Sequence, residues 1–363
     1  MGGSRVSSSL DDAKKALDSI IKKSRIHLYK PIQIAEILYK HRTSNNANEL
    51  DNLETYRNAS KKWRDIICMQ FLGRISTSSA KFQDNLFEEN AMPPYLLKKL
   101  GDENIKENGV VEAYIYKAFE DKHLQLENSL NYCLSSNKNN FEIQHFLEQF
   151  WEQPGLKRSL DKIFEIVVYS LFEVLTTAMQ VKIDIYYEKK QLTLINEFED
   201  FAYKVLNLSS SDDRKTLDAH FNRVGVTNAA DRGLDMYANF GSVVQIKHLS
   251  LDEELAEDVV TSITSDKIII VCKDSEETVI KTLLTQIGWR SRIQAVITIN
   301  ELVSWYEKAL KGQFSDLLGE RILSTLAKEI KAEFPSVGSN DFQEFKKQRG
   351  YHTLKSSYWS INT

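Results

Sequence analysis

The chain has 363 residues, of which 42% are hydrophobic and 27% are charged, as in an ordinary globular protein. This length predicts one large or two medium-sized domains with enough apolar material for a core. The net charge is −4, from 47 Lys and Arg against 51 Asp and Glu. A non-specific nucleic-acid-binding protein would carry a large basic excess, so the composition weighs against that class. It leaves room for a sequence-specific enzyme that concentrates its cations in one cleft.

The cysteines and the apolar runs indicate the compartment. The chain contains three widely spaced cysteines, Cys68, Cys133 and Cys272. They form no CxxC pair, which weighs against a zinc site or a disulfide framework and indicates a reducing compartment. The longest apolar run, residues 163–179, is interrupted by Glu165 and Glu173 and is therefore no membrane span. We expect a soluble, cytoplasmic protein with no membrane contact.

The first part of the chain, residues 1–157, is predicted to be mainly helical. Apolar residues at helical spacing over 9–42 indicate two helices, the second of which begins near Pro31. Further amphipathic helices are predicted over 61–72 and 110–130. We interpret this part as a region that decorates the core and recognises a partner.

From residue 158 onward, helices and strands alternate. The predicted order is an apolar helix at 162–179, a strand at 181–187, a helix at 198–206, two short strands around 235 and 247, a helix at 251–264, and strands at 267–272 and 295–299. The run KIIIVC at 267–272 is β-branched and apolar, as in a buried central strand. These elements predict a mixed α/β core over 158–300, with a mixed sheet flanked by helices. A helical extension is predicted over 301–363.

The two short strands carry three polar side chains that can meet. Asp235 lies at the start of the first strand, and Gln245 and Lys247 lie two positions apart on the second. Residues two apart on a strand share a face, so Gln245 and Lys247 project together while Ile246 points into the core. A carboxylate, an oxygen ligand and a lysine at one place are what Mg²⁺-assisted phosphodiester cleavage requires. The alternatives are a solvated edge carboxylate and a lysine paired with a structural acid.

This arrangement resembles the PD-(D/E)xK nuclease core, whose elements follow the order αβββαβ. Gln245 stands where that family usually has Glu or Asp. The resemblance implies that Asp235 and Gln245 bind Mg²⁺ and that Lys247 acts on the attacking water. It also implies hydrolysis that leaves a 5′-phosphate and a 3′-hydroxyl.

An amide brings no charge to the metal, so a further carboxylate is expected to compensate for Gln245. On the helix after the lysine strand, Asp258 or Glu254 could serve. On the first core helix, the resemblance implies a glutamate near the metal, for which we favour Glu173 over Glu165. Each of these acids could instead lie on a solvated helix surface.

Several further blocks are similar to type II restriction endonucleases of the HaeII type. They are HLYKPIQIAEIL at 27–38, RNASKKWRD at 57–65, GRISTSSAKFQDNLFEEN at 73–90, VEAYIY at 111–116 and GVTNAADRGLD at 225–235. The resemblance extends from about residue 13 to the end of the KIIIVCKD run. It implies cleavage of double-stranded DNA at the palindrome RGCGCY and a cognate methyltransferase in the same restriction-modification system. A palindromic target implies a homodimer in which each subunit cuts one strand.

Candidate DNA-contacting residues combine cations with short hydroxyl side chains, a composition that suits phosphate binding. They are Arg64, Arg74, Ser76, Thr77, Ser78 and Lys81, joined by Asn228 and Arg232 as candidates for reading base edges. The alternative is an ordinary surface helix followed by a polar turn.

Two other functions remain open at this point. A structure-specific repair nuclease could share the core, although the large helical region disfavours it. A catalytically impaired, sequence-specific DNA-binding protein could retain Asp235 and Lys247 while Gln245 marks lost metal binding. Mg²⁺-dependent cutting of linear duplex DNA at one sequence would exclude both alternatives.

Overall fold

The computed structural model describes residues 9–24, 26–44, 49–76, 83–152, 156, 159–224, 234–247, 250, 252, 254, 259, 263, 265–274, 292–334, 340–354 and 356–360. The α-helices within these ranges are α1 (Leu10–Lys23), α2 (Tyr29–Thr43), α3 (Ala59–Leu72), α4 (Pro94–Lys106), α5 (Val110–Ser135), α6 (Ile143–Glu152), α7 (Leu160–Ala178), α8 (Leu192–Glu197), α9 (Glu199–Phe201), α10 (Ile299–Lys311), α11 (Ser315–Glu333) and α12 (Asn340–Gln348). The strands are β1 (Lys182–Tyr186), β2 (Arg214–Asp218), β3 (Phe221–Arg223), β4 (Met236–Ala238), β5 (Ser242–Lys247), β6 (Lys267–Cys272) and β7 (Ile293–Thr298). None of the described helices is long and apolar enough to cross a membrane.

Helices α1 to α5 form a cluster around a hydrophobic core of their own. Local signals in the sequence set their ends. Ser9 and Asp12 form a reciprocal capping box that satisfies backbone donors at the start of α1. Gly73, with φ +62°, ends α3 in the left-handed region that glycine adopts without a steric penalty.

The C-terminal segment closes onto this helical cluster through buried charges. Arg349, just after α12, makes two parallel hydrogen bonds to the buried carboxylate of Glu36 on α2, at 2.6 and 3.1 Å. The same carboxylate accepts a hydrogen bond from the Tyr116 hydroxyl at 2.5 Å. Tyr351 donates at 2.5 Å to Glu112, which also pairs with Arg42. A buried carboxylate needs such partners, so these pairs fix where the C-terminal segment lies.

A five-stranded mixed sheet forms the centre of the second half, in the order β3-β4-β5-β6-β7. Strands β3, β4 and β5 form an antiparallel meander, whereas β5, β6 and β7 run parallel. Helix α7 packs on one face together with α11. Alternate residues of β6 divide between the two faces: Ile269 and Val271 join the core under α7, and Ile268 and Ile270 join a smaller cluster on the other side. The predicted mixed α/β fold and the buried strand at 267–272 are confirmed.

The prediction was wrong for one strand of the core. The segment predicted as a strand at 181–187 does form β1, but β1 pairs with β2 in a separate two-stranded sheet. The first strand of the central sheet is β3, which has only three residues. A strand this short shows no alternating pattern, because alternation takes about four residues to become visible. Most of the helix predicted at 251–264 lies outside the described residues, although Glu254 and Val259 are helical.

The last part of the chain packs on both halves. Helices α10 and α11 belong to the core of the central sheet, whereas Phe342, Phe345 and Tyr351 belong to the core of the helical cluster. Two arginines strengthen the link at the end of α11. Arg223 of β3 pairs with Glu329 and Glu333, and Arg74, after α3, donates to backbone carbonyls at the same helix end. The division into parts at 157 and 300 stays a prediction.

The substitution Arg349→Ala should destabilise the protein by about 3–5 kcal/mol, because it leaves the buried carboxylate of Glu36 without its cation. Urea denaturation followed by circular dichroism measures the change. Lys98→Ala is the control, because Lys98 pairs with Asp51 at side-chain exposures of 49% and 56%. An exposed pair of this kind contributes less than about 1 kcal/mol. A loss for Arg349→Ala as small as the control's would contradict the structural role of the buried pair.

Candidate active site

The β4–β5 hairpin brings Asp235 and Gln245 into direct contact. Met236 pairs with Val244, which places Asp235 opposite Gln245. The Asp235 Oδ2 accepts a hydrogen bond from Gln245 Nε2 at 2.8 Å and a second from the Ile246 backbone amide at 2.7 Å. Two donors on one carboxylate oxygen fix both the side chain and the register of the hairpin at this point.

This geometry leaves the other amide atom of Gln245 unsatisfied. A carboxylate only accepts hydrogen bonds when ionised, so Nε2 faces Asp235 and Oε1 faces away. Gln245 is 3% exposed, and its Oε1 is buried with no hydrogen-bond partner among the described residues. Burying an unpaired carbonyl oxygen costs free energy, and a bound cation is one way to recover it.

Glu165 of α7 approaches this pair from the helix side. Its carboxylate is buried and accepts two hydrogen bonds from Lys162 Nζ, at 2.8 and 2.7 Å. Burial, together with the nearby charge of Asp235, raises the pKa of Glu165 to about 7, although Lys162 opposes the rise. Burial also raises the pKa of Asp235 above its ordinary value, against the hydrogen bond from Ile246 and the charges of Lys247 and Lys162. The buried Glu165 and the half-buried Asp235 both have a raised pKa, and a place that disfavours their negative charges favours a cation.

Lys247 lies at the end of β5, two residues beyond Gln245 and therefore on the same face of the strand. It is half-buried, and its positive charge lowers the pKa of Asp235. Ile246, between them, belongs to the core under α7. The structure thus brings together the three residues that the sequence placed at one site.

Glu173 lies elsewhere. Its Oε2 accepts a hydrogen bond from the Phe221 backbone amide at 2.7 Å, so the side chain caps the start of β3. Glu173 and Glu165 are eight residues apart on α7, which is about 12 Å along a helix. The charge of Asp235 acts on Glu165, so it is the Glu165 end of α7 that faces the hairpin. The expected metal-binding role of Glu173 stays a prediction, and spacing along α7 does not show which end of the helix lies over the hairpin.

The oxygen atoms at the site fit a hard divalent cation. The donors available are the carboxylates of Asp235 and Glu165 and the unpartnered amide oxygen of Gln245, all oxygen ligands of the kind that Mg²⁺ prefers. In the part of the chain that the structure describes, no three His, Cys, Asp or Glu side chains come together as a metal site. The amide oxygen of Gln245 would therefore have to act as a metal ligand at the position where the PD-(D/E)xK family usually has a carboxylate.

Two arginines expected to bind phosphates make contacts within the protein. Arg64 is 2% exposed, and its guanidinium donates to Asp65, Gln33 and Gln83. Arg74 is engaged with the end of α11, as described above. Both guanidiniums are thus engaged within the protein, which sequence composition does not reveal, and their expected role as direct DNA contacts stays a prediction.

The remaining predicted residues divide into two groups. Ser76 is half-buried and Glu254 is exposed. Thr77, Ser78, Lys81, Asn228, Arg232 and Asp258 lie outside the described residues. Sequence reasoning missed Lys162, whose position three residues before Glu165 on α7 is the spacing at which helical ion pairs form.

Comparisons with known proteins add evidence that is independent of this geometry. The family model for the HaeII restriction endonuclease matches residues 13–351. The type II restriction enzyme HaeII of Haemophilus aegyptius is 56% identical over 340 residues, which are 94% of this chain and 96% of the relative. The type II restriction enzyme NgoBI of Neisseria gonorrhoeae is 55% identical over 340 residues, 93% of this chain and 96% of the relative. No solved structure matches the chain.

Both relatives are type II restriction enzymes, and the similarity covers nearly the whole chain rather than one motif. Type II restriction endonucleases generally use divalent metal ions, which agrees with the donor set around Asp235. The chain therefore belongs to the HaeII restriction endonuclease family and is a type II restriction endonuclease.

Proposed function

We propose that the chain hydrolyses phosphodiester bonds in double-stranded DNA with Mg²⁺, at a PD-(D/E)xK site formed by Asp235, Gln245 and Lys247 with Glu165. The observation that carries the proposal is the buried, unpartnered Oε1 of Gln245, whose Nε2 donates to the Asp235 carboxylate on which the charge of Lys247 also acts. Asp235 and Gln245 would hold the cation from the hairpin, and Glu165 would hold it from α7. When bound, Mg²⁺ would neutralise charge on the scissile phosphate and lower the pKa of the attacking water.

The protein's own residues have distinct tasks in this mechanism. The Ile246 amide and Gln245 Nε2 hold one oxygen of Asp235, so the carboxylate does not have to reorganise when DNA binds. Lys247 orients the water for in-line attack and stabilises negative charge on the pentavalent phosphorus. The bond from phosphorus to O3′ breaks, which leaves a 5′-phosphate and a 3′-hydroxyl.

We further propose the palindrome RGCGCY as the target, cut by a homodimer in the bacterial cytoplasm with a cognate methyltransferase protecting the host DNA. The similarity to the two relatives over almost their full lengths supports a shared restriction-modification context. A palindrome presents the same half-site twice, and two copies of one chain match that symmetry.

Removing the central side chains should abolish cleavage without unfolding the protein. Asp235→Asn and Lys247→Ala are each expected to lower the rate of plasmid cleavage by at least about 10²–10³-fold, because each removes a fixed electrostatic contact at the reacting phosphate. Glu165→Gln should lower the rate strongly, whereas Glu173→Gln should leave most of it. Gel analysis with Mg²⁺ and with EDTA measures the rates. Equal losses for Glu165→Gln and Glu173→Gln would contradict the assignment of Glu165.

The substitution Gln245→Glu tests the unpartnered oxygen. A carboxylate here adds charge to the cation site, so the Mg²⁺ concentration needed for half-maximal cleavage should fall several-fold. In EDTA the same variant should be less stable to urea, because three buried carboxylates then repel one another. Gln245→Leu, which lacks the oxygen, is the matched control and should need more Mg²⁺. The catalytically impaired DNA-binding alternative instead predicts no cleavage by the wild type and a gain of cleavage in Gln245→Glu.

The raised pKa of Glu165 predicts a pH-dependent stability in EDTA. The pKa is about 7 in the folded protein, against 4.5 for an unperturbed glutamate, so the folded state binds more protons between these two values. The free energy of unfolding should therefore fall as the pH rises from about 5 to 8. Glu165→Gln should remove this part of the pH dependence and stabilise the metal-free protein at pH 8. Urea titrations of the wild type and of Glu165→Gln at about pH 5 and pH 8 measure the free energies of unfolding. The same pH dependence in both proteins would contradict the raised pKa of Glu165.

A further inference from the structure

Residues 179–218, which we call the arm, form an insertion between α7 and β3. The arm contains the two-stranded sheet of β1 and β2 and a helical segment over 192–206, formed by α8, α9 and a wider turn. Within the arm only Ala202 and Leu208 are buried. A two-stranded sheet has marginal stability in water unless another element covers it.

The arm presents an unusual amount of apolar surface. Of the 24 large hydrophobic side chains that are exposed among the described residues, 12 lie in these 40 positions, at exposures of 37–70%. Together they expose on the order of 1,000 Å². The largest apolar patch on a typical monomer is about 300–600 Å², whereas a standard protein–protein interface buries about 800 Å² on each partner. The exposed apolar area of the arm, summed over its faces, is therefore of the size that one side of a standard interface buries.

The helical segment carries a pattern that suits pairing with a copy of itself. Leu194, Phe198, Phe201 and Val205 are 52%, 55%, 55% and 63% exposed, and they follow one another at intervals of four, three and four residues. We call these four side chains the stripe; they follow a helical segment that is interrupted at Phe198, with φ −111° and ψ 34°, and that ends in a π-helical turn over Ala202–Leu206. Two copies related by a twofold axis would present identical stripes to each other in antiparallel orientation.

Charges beside the stripe complement one another in that orientation. Glu197 precedes Phe198 and Lys204 precedes Val205, toward opposite ends of the stripe. Lys204 pairs with Asp200 of its own copy at 2.9 Å, and in an antiparallel pair Glu197 of the other copy would join this ion pair, twice in each dimer. Opposite charges at these flanking positions favour this partner and this orientation.

The charges of the arm disfavour DNA as its partner. The arm has six Lys and Arg against eight Asp and Glu, a net charge of −2. Several of its cations are engaged by its own carboxylates, in the pairs Lys182–Asp218, Lys204–Asp200 and Lys215–Asp212. A phosphate-binding surface instead needs an excess of available cations.

We propose that the arm is the surface through which two copies of this chain pair, stripe against stripe. The inference deepens the proposed homodimer, on which it rests, by naming the contact surface. Sedimentation velocity of the full chain at micromolar concentration, without DNA, tests it. The wild type should be a dimer, and Leu194→Asp and Phe201→Asp should each raise the dissociation constant at least about 30-fold, as expected for a central interface residue.

Leu317→Asp is the matched control, because Leu317 on α11 is 50% exposed against 52% for Leu194. It should remain a dimer, and all variants should keep the circular dichroism spectrum of the wild type. A monomeric wild type, or dimers that survive both arm substitutions, would overturn the proposal. So would variants that stay dimeric but lose binding to duplex DNA, since the arm would then contact DNA. A wild type that dimerises through the arm but does not cut DNA would support the proposed dimer interface and contradict the proposed cleavage mechanism.

Discussion

The hydrogen bonds from Gln245 Nε2 and the Ile246 amide to one oxygen of Asp235 determine the rest of the site. They join two neighbouring strands at one position, so a shift of one residue in the hairpin would break both bonds. The same shift would turn Ile246 out of the core and Lys247 into it. Packing and polar contacts therefore specify one register, and that register places a carboxylate, an amide oxygen and a lysine at one end of the sheet.

The site also contains groups that destabilise the folded protein, and the rest of the fold has to offset this loss of free energy. The raised pKa values of the buried Glu165 and the half-buried Asp235, and the unpartnered amide oxygen of Gln245, indicate groups that destabilise the metal-free protein. Strand β6 and the apolar helix α7 supply the hydrophobic burial that holds these groups together. Such local conflict within an otherwise consistent fold is the usual mark of a functional site.

Charged contacts at the end of α11 connect the halves of the molecule. Arg223 reaches this end from β3, and Arg74 reaches it from the segment after α3. A second connection joins Arg349 to Glu36 within the helical cluster. Through Arg74, the described residues just after α3 are held at this end of α11.

The sequence by itself determined the mixed α/β fold, the β4–β5 hairpin with Asp235, Gln245 and Lys247, and the buried strand β6. These features depend on local patterns: a period of two for a strand, a β-branched apolar run, and residues two apart on one face. Tertiary structure decided what local patterns do not encode. It put Glu165 rather than Glu173 beside Asp235, because only the packing of α7 shows which of its ends lies over the hairpin. It buried Arg64 and engaged Arg74, because a cation's partners come from distant parts of the chain. It also separated β1 from the central sheet and left the arm exposed, since strand pairing is a long-range choice made by hydrogen bonds between segments far apart in sequence.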